Sequence, residues 1–101
     1  MKLRLSKEQI ETIIQAAHRS FGNTSKIWLF GSRVDDHKKG GDIDLYIETD
    51  KEIGIVSAKL EMLGLLDAVF GEQKIDILVR RRNRPCSAMH VIAKSSGQEL
   101  V

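Results

Sequence analysis

The chain has 101 residues, enough for one small domain with a single core and too few for two. Hydrophobic residues make up 42% and charged residues 30%, a balance typical of a folded globular domain rather than a disordered one. The net charge of +2 is too small to indicate nucleic-acid binding by itself. The single cysteine excludes an internal disulfide, and no segment has the apolar length needed to span a bilayer. We therefore expect one cytoplasmic domain over residues 1–101.

The chain opens with a predicted helix. Ser6, followed three residues later by Gln9, fits a capping box. The apolar residues that then recur at helical spacing are Ile10, Ile13, Ile14, Ala17 and Phe21. Gly22-Asn23 predicts the end of this helix. The apolar run 26–30 after it is too short for a helix and rich in strand-forming residues, so it predicts a strand.

A polar loop and an alternating strand follow. Segment 31–41 contains three glycines and mixed charges, which indicates a loop or a short helical turn. Segment 42–48 alternates polar and apolar residues and predicts a half-buried strand. Its apolar face carries Ile43, Leu45 and Ile47, and its polar face carries Asp42, Asp44, Tyr46 and Glu48.

A second helix is predicted over residues 51–70, ending at Gly71. The residues expected to face the core are Ile53, Val56, Leu60, Leu63, Leu66 and Phe70. Further apolar residues lie partly off this stripe, namely Ile55, Met62, Leu65 and Val69. A helix that is apolar on more than one face of so small a domain indicates a homo-oligomer or a stable complex with another protein.

The last part of the chain predicts a third strand over 75–79, with Asp76 on the face opposite its isoleucines and valine. The arginine-rich segment 80–84 is either a solvated strand exit or a contact for phosphate, RNA or an acidic partner. A short helix over 87–94 and a polar tail complete the chain. The expected fold is α+β, a small mixed β-sheet flanked by helices in the order αβ-loop-βαβα.

Three aspartates in this order predict a metal site. Asp42 and Asp44 are two residues apart on one strand, so their side chains share a face. A helix long enough for a parallel crossover leads to the strand that carries Asp76 near its start, and a parallel pairing would bring all three carboxylates together. Their mutual repulsion favours a cation between them. Oxygen ligands without histidine or cysteine favour Mg²⁺ or Mn²⁺ over zinc, with substrate phosphates completing the coordination shell.

The loop before this strand predicts phosphate contacts. Gly31 would allow a phosphate close to the backbone, Ser32 would donate its hydroxyl and amide, and Arg33 would add a charged donor. Ser32 has the alternative of a turn or helix cap, and Arg33 that of a solvated charge. His37 in the same loop lacks a second nitrogen or sulfur ligand, so we do not expect it to bind metal. His18 and His90 are expected at the surface or the core boundary.

These residues resemble the DNA-polymerase-beta-type nucleotidyltransferases, and more narrowly the minimal nucleotidyltransferase antitoxins paired with HEPN-domain toxins. The matching motifs are Gly31-Ser32, a gap of nine residues, Asp42-Ile43-Asp44-Leu45 and Ile75-Asp76-Ile77. The resemblance implies a nucleotidyltransferase fold. It also implies triphosphate contacts from Gly31 and Ser32 and metal ligation by the three aspartates, with Asp76 assisting deprotonation of the attacking hydroxyl.

The activity that the resemblance implies is transfer of AMP from ATP to a hydroxyl, with pyrophosphate leaving. The acceptor would be a tyrosine of a HEPN toxin, whose ribonuclease activity AMPylation silences. The alternative is a binding antitoxin that blocks its toxin by occlusion without turnover. The joint presence of three carboxylates and the glycine-serine loop favours the enzyme, because a pure binder has no physical reason to concentrate so much negative charge.

Overall fold

The computed structural model describes residues 5–30, 43–71 and 74–100. Within these ranges it contains three α-helices and four β-strands. In chain order they are α1 (Lys7–Phe21), β1 (Lys26–Phe30), β2 (Ile43–Thr49), α2 (Ile55–Phe70), β3 (Ile75–Arg81), α3 (Ala88–Ser96) and β4 (Gln98–Glu99). None of these helices is long and apolar enough to span a membrane.

The four strands form one mixed sheet in the order β3-β2-β1-β4. β1 is antiparallel to both β2 and β4, whereas β2 and β3 are parallel. Parallel strands need a crossover connection, and α2 provides it. The expected α+β architecture with a mixed sheet is therefore present. The short strand β4 falls in the segment that the sequence predicted only as a polar tail.

The main core lies between one face of the sheet and the helices α1 and α2. The alternation of β2 directs its apolar residues to this face, as predicted. The largest fully buried side chains of this core are Ile13, Ile27, Leu29, Ile43, Leu45, Ile47, Met62 and Leu66.

The predicted capping box at the start of α1 is confirmed. Ser6 Oγ accepts a hydrogen bond from the Gln9 amide at 3.1 Å, and Gln9 Oε1 accepts one from the Ser6 amide at 2.9 Å. Gly22, with a φ of +106°, ends the helix where the sequence predicts. α3 has a second capping box in which Ser87 is paired with His90, whose Nδ1 accepts from the Ser87 amide at 3.1 Å.

The predicted core stripe of α2 was right for Leu66 and Phe70, which are buried, and for Leu63, which packs against the core, but wrong for its first three residues. The helix begins at Ile55 rather than Lys51. Three residues that were assigned to the core are instead exposed: Ile53 by 82%, Val56 by 72% and Leu60 by 64%. The residues that are buried are Ala58, Met62, Leu66 and Phe70. The reason is that α2 is apolar on nearly every side, so helical periodicity alone does not select the face that packs.

The orientation of α2 follows from its packing beside α1. Glu61 accepts a hydrogen bond from Ser20 Oγ at 3.5 Å and lies 3.9 Å from Arg19 Nε, which fixes one flank of α2 against α1. Leu63 and Asp67, on the opposite flank, line a surface depression with Ile75 of β3. Val56 and Leu60 are therefore turned away from α1 and remain exposed.

Candidate functional site

Asp44 and Asp76 lie side by side on the second face of the sheet. They are register partners in the parallel pair of β2 and β3. Neighbouring strands are about 4.8 Å apart, and register partners direct their side chains to the same face. Asp44 is half-buried, and the Asp76 side chain is 58% exposed. The parallel pairing thus brings two of the three predicted carboxylates together at the beginnings of their strands.

The remaining predicted site residues lie outside the described residues. They are Gly31, Ser32 and Arg33 of the proposed phosphate loop, His37, and the first aspartate, Asp42. Their roles stay predictions from the sequence. In the described ranges, no group of three or more histidine, cysteine, aspartate or glutamate side chains is arranged to hold a metal ion. The candidate site therefore rests on the pair Asp44 and Asp76.

The surroundings of this aspartate pair differ on its two sides. On the β3 side, Lys74 Nζ lies 4.0 Å from Asp76 Oδ2, and both side chains are exposed to solvent. On the β1 side, Phe30 is the register partner of Asp44 and packs against a small second core. Two neighbouring carboxylates repel each other unless nearby charges or hydrogen bonds compensate them. Carboxylate oxygens are also the donors that hard divalent cations prefer.

Farther along the same face, Glu48 is buried at the centre of a polar cluster. Its Oε2 accepts a hydrogen bond from the Tyr46 hydroxyl at 2.8 Å and from Arg80 Nη1 at 3.3 Å. The same oxygen lies 3.4 Å from Lys94 Nζ of α3. The Glu48 side chain is only 8% exposed. This cluster joins two strands to the helix that covers them.

Burial and hydrogen bonding shift both acids of this cluster. Burial, and then the hydrogen bond to the Glu48 carboxylate, raise the pKa of Tyr46 far above its ordinary value, so the phenol stays protonated. Burial alone would raise the pKa of Glu48, but the hydrogen bond from Tyr46 and the charges of Lys94 and Arg80 outweigh it. The pKa of Glu48 is therefore lowered, and the carboxylate is ionised.

Aromatic contacts complete the second core below α3. The rings of Trp28 and Tyr46 are 5.2 Å apart between centroids, and His90 lies 5.7 Å from Tyr46. Lys94 Nζ is 5.2 Å from the centroid of the Trp28 ring. His90, expected at the surface or boundary, is half-buried and serves both as a helix cap and as a ring contact. The prediction that β2 is half-buried was wrong, because α3 covers Tyr46 and Glu48 on the face that the alternation assigned as polar, and both are buried.

The arginine-rich segment 80–84, which begins in β3, makes several contacts within the domain. Arg80 binds Glu48, while Arg82 donates to Asp50 Oδ2 at 2.8 Å and to the Thr24 carbonyl at 2.6 Å. The hydrogen bonds from Arg82 and Thr24 lower the pKa of Asp50. Arg81 lies five residues beyond Asp76 on β3, about 16 Å along the strand. The segment is therefore remote from the aspartate pair, which favours the strand-exit interpretation over a contact with phosphates at that pair.

Comparison of the chain with protein-family models found no matching family, and comparison with curated proteins found no significant match.

Proposed function

We propose that this chain is a metal-dependent nucleotidyltransferase that moves AMP from ATP to a hydroxyl group. The observation that carries the proposal is the in-register pairing of Asp44 and Asp76 on one face of a parallel strand pair. Two further features support a nucleotidyltransferase fold. They are the helix-strand order around the β2–α2–β3 crossover and the resemblance of the motifs at Gly31-Ser32 and Asp42.

The residues that would hold Mg²⁺ or Mn²⁺ are Asp44 and Asp76 together with Asp42. Asp42 precedes Asp44 by two positions, so continued strand alternation would turn its side chain to the same face. All three donors are hard carboxylate oxygens, which suits these ions. When bound, the metal would neutralise charge on the triphosphate and on the oxygens that exchange at phosphorus.

The reaction would join the acceptor hydroxyl oxygen to the α-phosphorus and break the bond from that phosphorus to the bridging oxygen, so that pyrophosphate leaves. Asp76, the more exposed of the two described carboxylates, would accept the proton of the attacking hydroxyl. Gly31 and Ser32 are assigned the triphosphate, with Arg33 as an additional cation. A domain of this size has little surface with which to hold the acceptor, so the acceptor is assigned to a partner protein, a tyrosine of a HEPN-type toxin.

The test is transfer of label from ATP labelled at the α-phosphate, with Mg²⁺ and a candidate HEPN partner. Asp44→Asn and Asp76→Asn should each reduce transfer on the order of 100-fold or more, because each removes a metal ligand worth several kcal/mol. Asp67→Asn is the matched control, since Asp67 is an exposed aspartate on α2, which packs on the other face of the sheet from the pair. Transfer that persists in both site variants would contradict the proposal.

The same variants separate catalysis from occlusion. If neutralisation of the toxin is catalytic, Asp44→Asn should abolish both transfer and neutralisation while the complex still forms. Undiminished neutralisation by Asp44→Asn would instead support the occluding antitoxin. Pull-down of the partner by each variant checks that the complex is intact.

A further inference from the structure

β3 lies at one edge of the described sheet, and no other described strand pairs with its outward backbone groups. Within the described residues it pairs only with β2, at one end of the sheet order. The Lys74 carbonyl accepts from the Ile43 amide at 2.8 Å, and the Arg82 amide donates to the Thr49 carbonyl at 2.9 Å. Even-numbered positions of this strand therefore direct their amides and carbonyls toward β2. The backbone groups of Ile75, Ile77 and Val79 point to the open edge, whereas the Arg81 carbonyl accepts a hydrogen bond from the Arg84 amide at 3.0 Å.

An apolar flank of α2 lies beside this edge. We define the α2 flank as Val56, Leu60 and Leu63, which follow one another at helical spacings of four and three residues and are bordered by the charged Asp67 four residues further on. Val56 is 72% and Leu60 is 64% exposed. The flank is opposite the side of α2 that contacts α1, and Leu63 shares a depression with Ile75 of β3. An open strand and an apolar helix flank thus border the same side of the domain.

We propose that a second copy of this chain covers this side, with the two β3 strands paired antiparallel about a twofold axis at Leu78. In this register Ile77 faces Val79 of the other copy, and both are outward-directed residues that can exchange backbone hydrogen bonds. Asp76 lies opposite Arg80 on each side of the axis, so no like charges meet there, although the Arg80 guanidinium is itself bound to Glu48. Leu78 faces Leu78. The strand is therefore complementary to itself, as an isologous interface requires.

Neighbouring registers fit less well. An axis at Ile77 would place Lys74 opposite Arg80 and Asp76 opposite Leu78. An axis at Val79 would place Ile77 opposite Arg81. Only the axis at Leu78 pairs apolar with apolar and acid with base at its three central positions.

The same axis accounts for the exposed flank of α2. A twofold axis perpendicular to the sheet keeps the helices of both copies on one face of a continuous sheet. The two α2 flanks then face each other across the β3 seam, where their apolar side chains leave water. A single association would cover both the open strand and the exposed apolar residues.

Disulfide cross-linking tests the register. In a Cys86→Ser background, Leu78→Cys should give a covalent dimer under mild oxidation. Facing positions that do not exchange hydrogen bonds have α-carbons about 4.5 Å apart, within disulfide range. Asp76→Cys in the same background is the control, because its counterpart would be four residues away, about 13 Å. A cross-link of equal yield in the control would overturn the register.

Mass measured by light scattering over a dilution series tests the surface. The double substitution Val56→Lys/Leu60→Lys should shift the measured mass toward that of the monomer. Val91→Lys/Ile92→Lys, which changes two α3 residues that are 55% and 57% exposed, should leave the mass unchanged. Circular dichroism verifies that each variant is folded. A mass of one copy at every concentration without the Leu78→Cys cross-link overturns the proposal, as does a mass that rises only when a different protein is added. Neither measurement depends on metal binding or transfer.

Discussion

Glu48 shows how one buried carboxylate can organise a face of a small sheet. Its Oε2 meets a phenol hydroxyl from its own strand, a guanidinium from β3 and an ammonium from α3. An ionised side chain is costly to bury unless hydrogen bonds and opposite charges compensate it. The three donors supply that compensation to the Glu48 carboxylate, whereas Arg80 Nε in the same cluster is buried without a hydrogen-bond partner among the described residues.

Replacing Glu48 with glutamine should lower the free energy of unfolding by about 1–2 kcal/mol near neutral pH, because two cations lose their counter-charge. The folded pKa of Glu48 is lowered, so its stabilisation is present above the unfolded pKa of about 4.3. It is lost as the pH falls through the folded pKa. Urea unfolding at about pH 7 and about pH 3 should therefore show a wild-type advantage that is smaller at the lower pH.

The control for this change is Glu52→Gln, at an exposed position before α2, which should alter stability by less than about 0.5 kcal/mol. An equal loss of unfolding free energy in both variants would contradict the role assigned to the charge. So would a loss in Glu48→Gln that is undiminished at about pH 3.

Tyr46 is the only tyrosine of the chain, so its ionisation can be followed by ultraviolet absorbance. Its folded pKa is raised, and the protein should therefore keep full stability below the unfolded pKa of about 10 and lose it as the pH rises beyond that value. We expect the phenol of the folded protein to ionise only together with alkaline unfolding. Glu48→Gln should lower that transition, while burial should keep it above the value of the urea-denatured chain. A folded phenol that titrates near pH 10 would refute this.

Helices and strands with a single consistent signal were predictable from the sequence. The Ser6 capping box and Gly22 predict the start and the end of α1, and the alternation of β2 predicts which of its residues face the main core. The structure confirms each of these predictions. The packed face of α2 was not predictable, because its residues are apolar on nearly every side and contact with α1 decides the rotation. β4 was missed because Gln98 and Glu99 carry no strand pattern and are ordered by pairing with β1. In the candidate site, the length of the crossover predicted that β2 and β3 are parallel, and the positions of Asp44 and Asp76 near the starts of their strands predicted that they lie side by side.

The junction between α3 and β4 depends on a close approach at Gly97. A β-carbon there would lie 2.5 Å from the Ala93 carbonyl oxygen and 2.9 Å from that of Leu29. Gly97→Ala should therefore destabilise the fold by about 1–3 kcal/mol, since backbone atoms must move. Gly64→Ala in α2 is the matched control. Its β-carbon would meet nothing within 4 Å among the described residues, and helix propensity should stabilise it by about 0.5–1 kcal/mol. Urea unfolding of both variants should give changes of opposite sign.

The domain as a unit should gain stability from metal if the aspartate pair binds it. A ligand that binds only the folded state at 100 times its Kd adds about 2.7 kcal/mol to the free energy of unfolding. Addition of Mg²⁺ or Mn²⁺ should raise the thermal midpoint of the wild type and of Asp67→Asn, and leave that of Asp44→Asn unchanged. An equal rise in all three proteins would show that the ion acts elsewhere.

The two borders of the sheet differ in what they offer another strand. At the β4 border the terminal strand has two residues, and Glu99 forms an ion pair with Lys26 Nζ at 3.8 Å. An additional strand would therefore have only a short and charged strand to pair with. At the β3 border the terminal strand has seven residues. The described sheet can therefore be extended by strand addition only at its β3 border, and a twofold contact between two β3 strands would occupy that border. Such a sheet should stop at a finite particle instead of extending into a fibre.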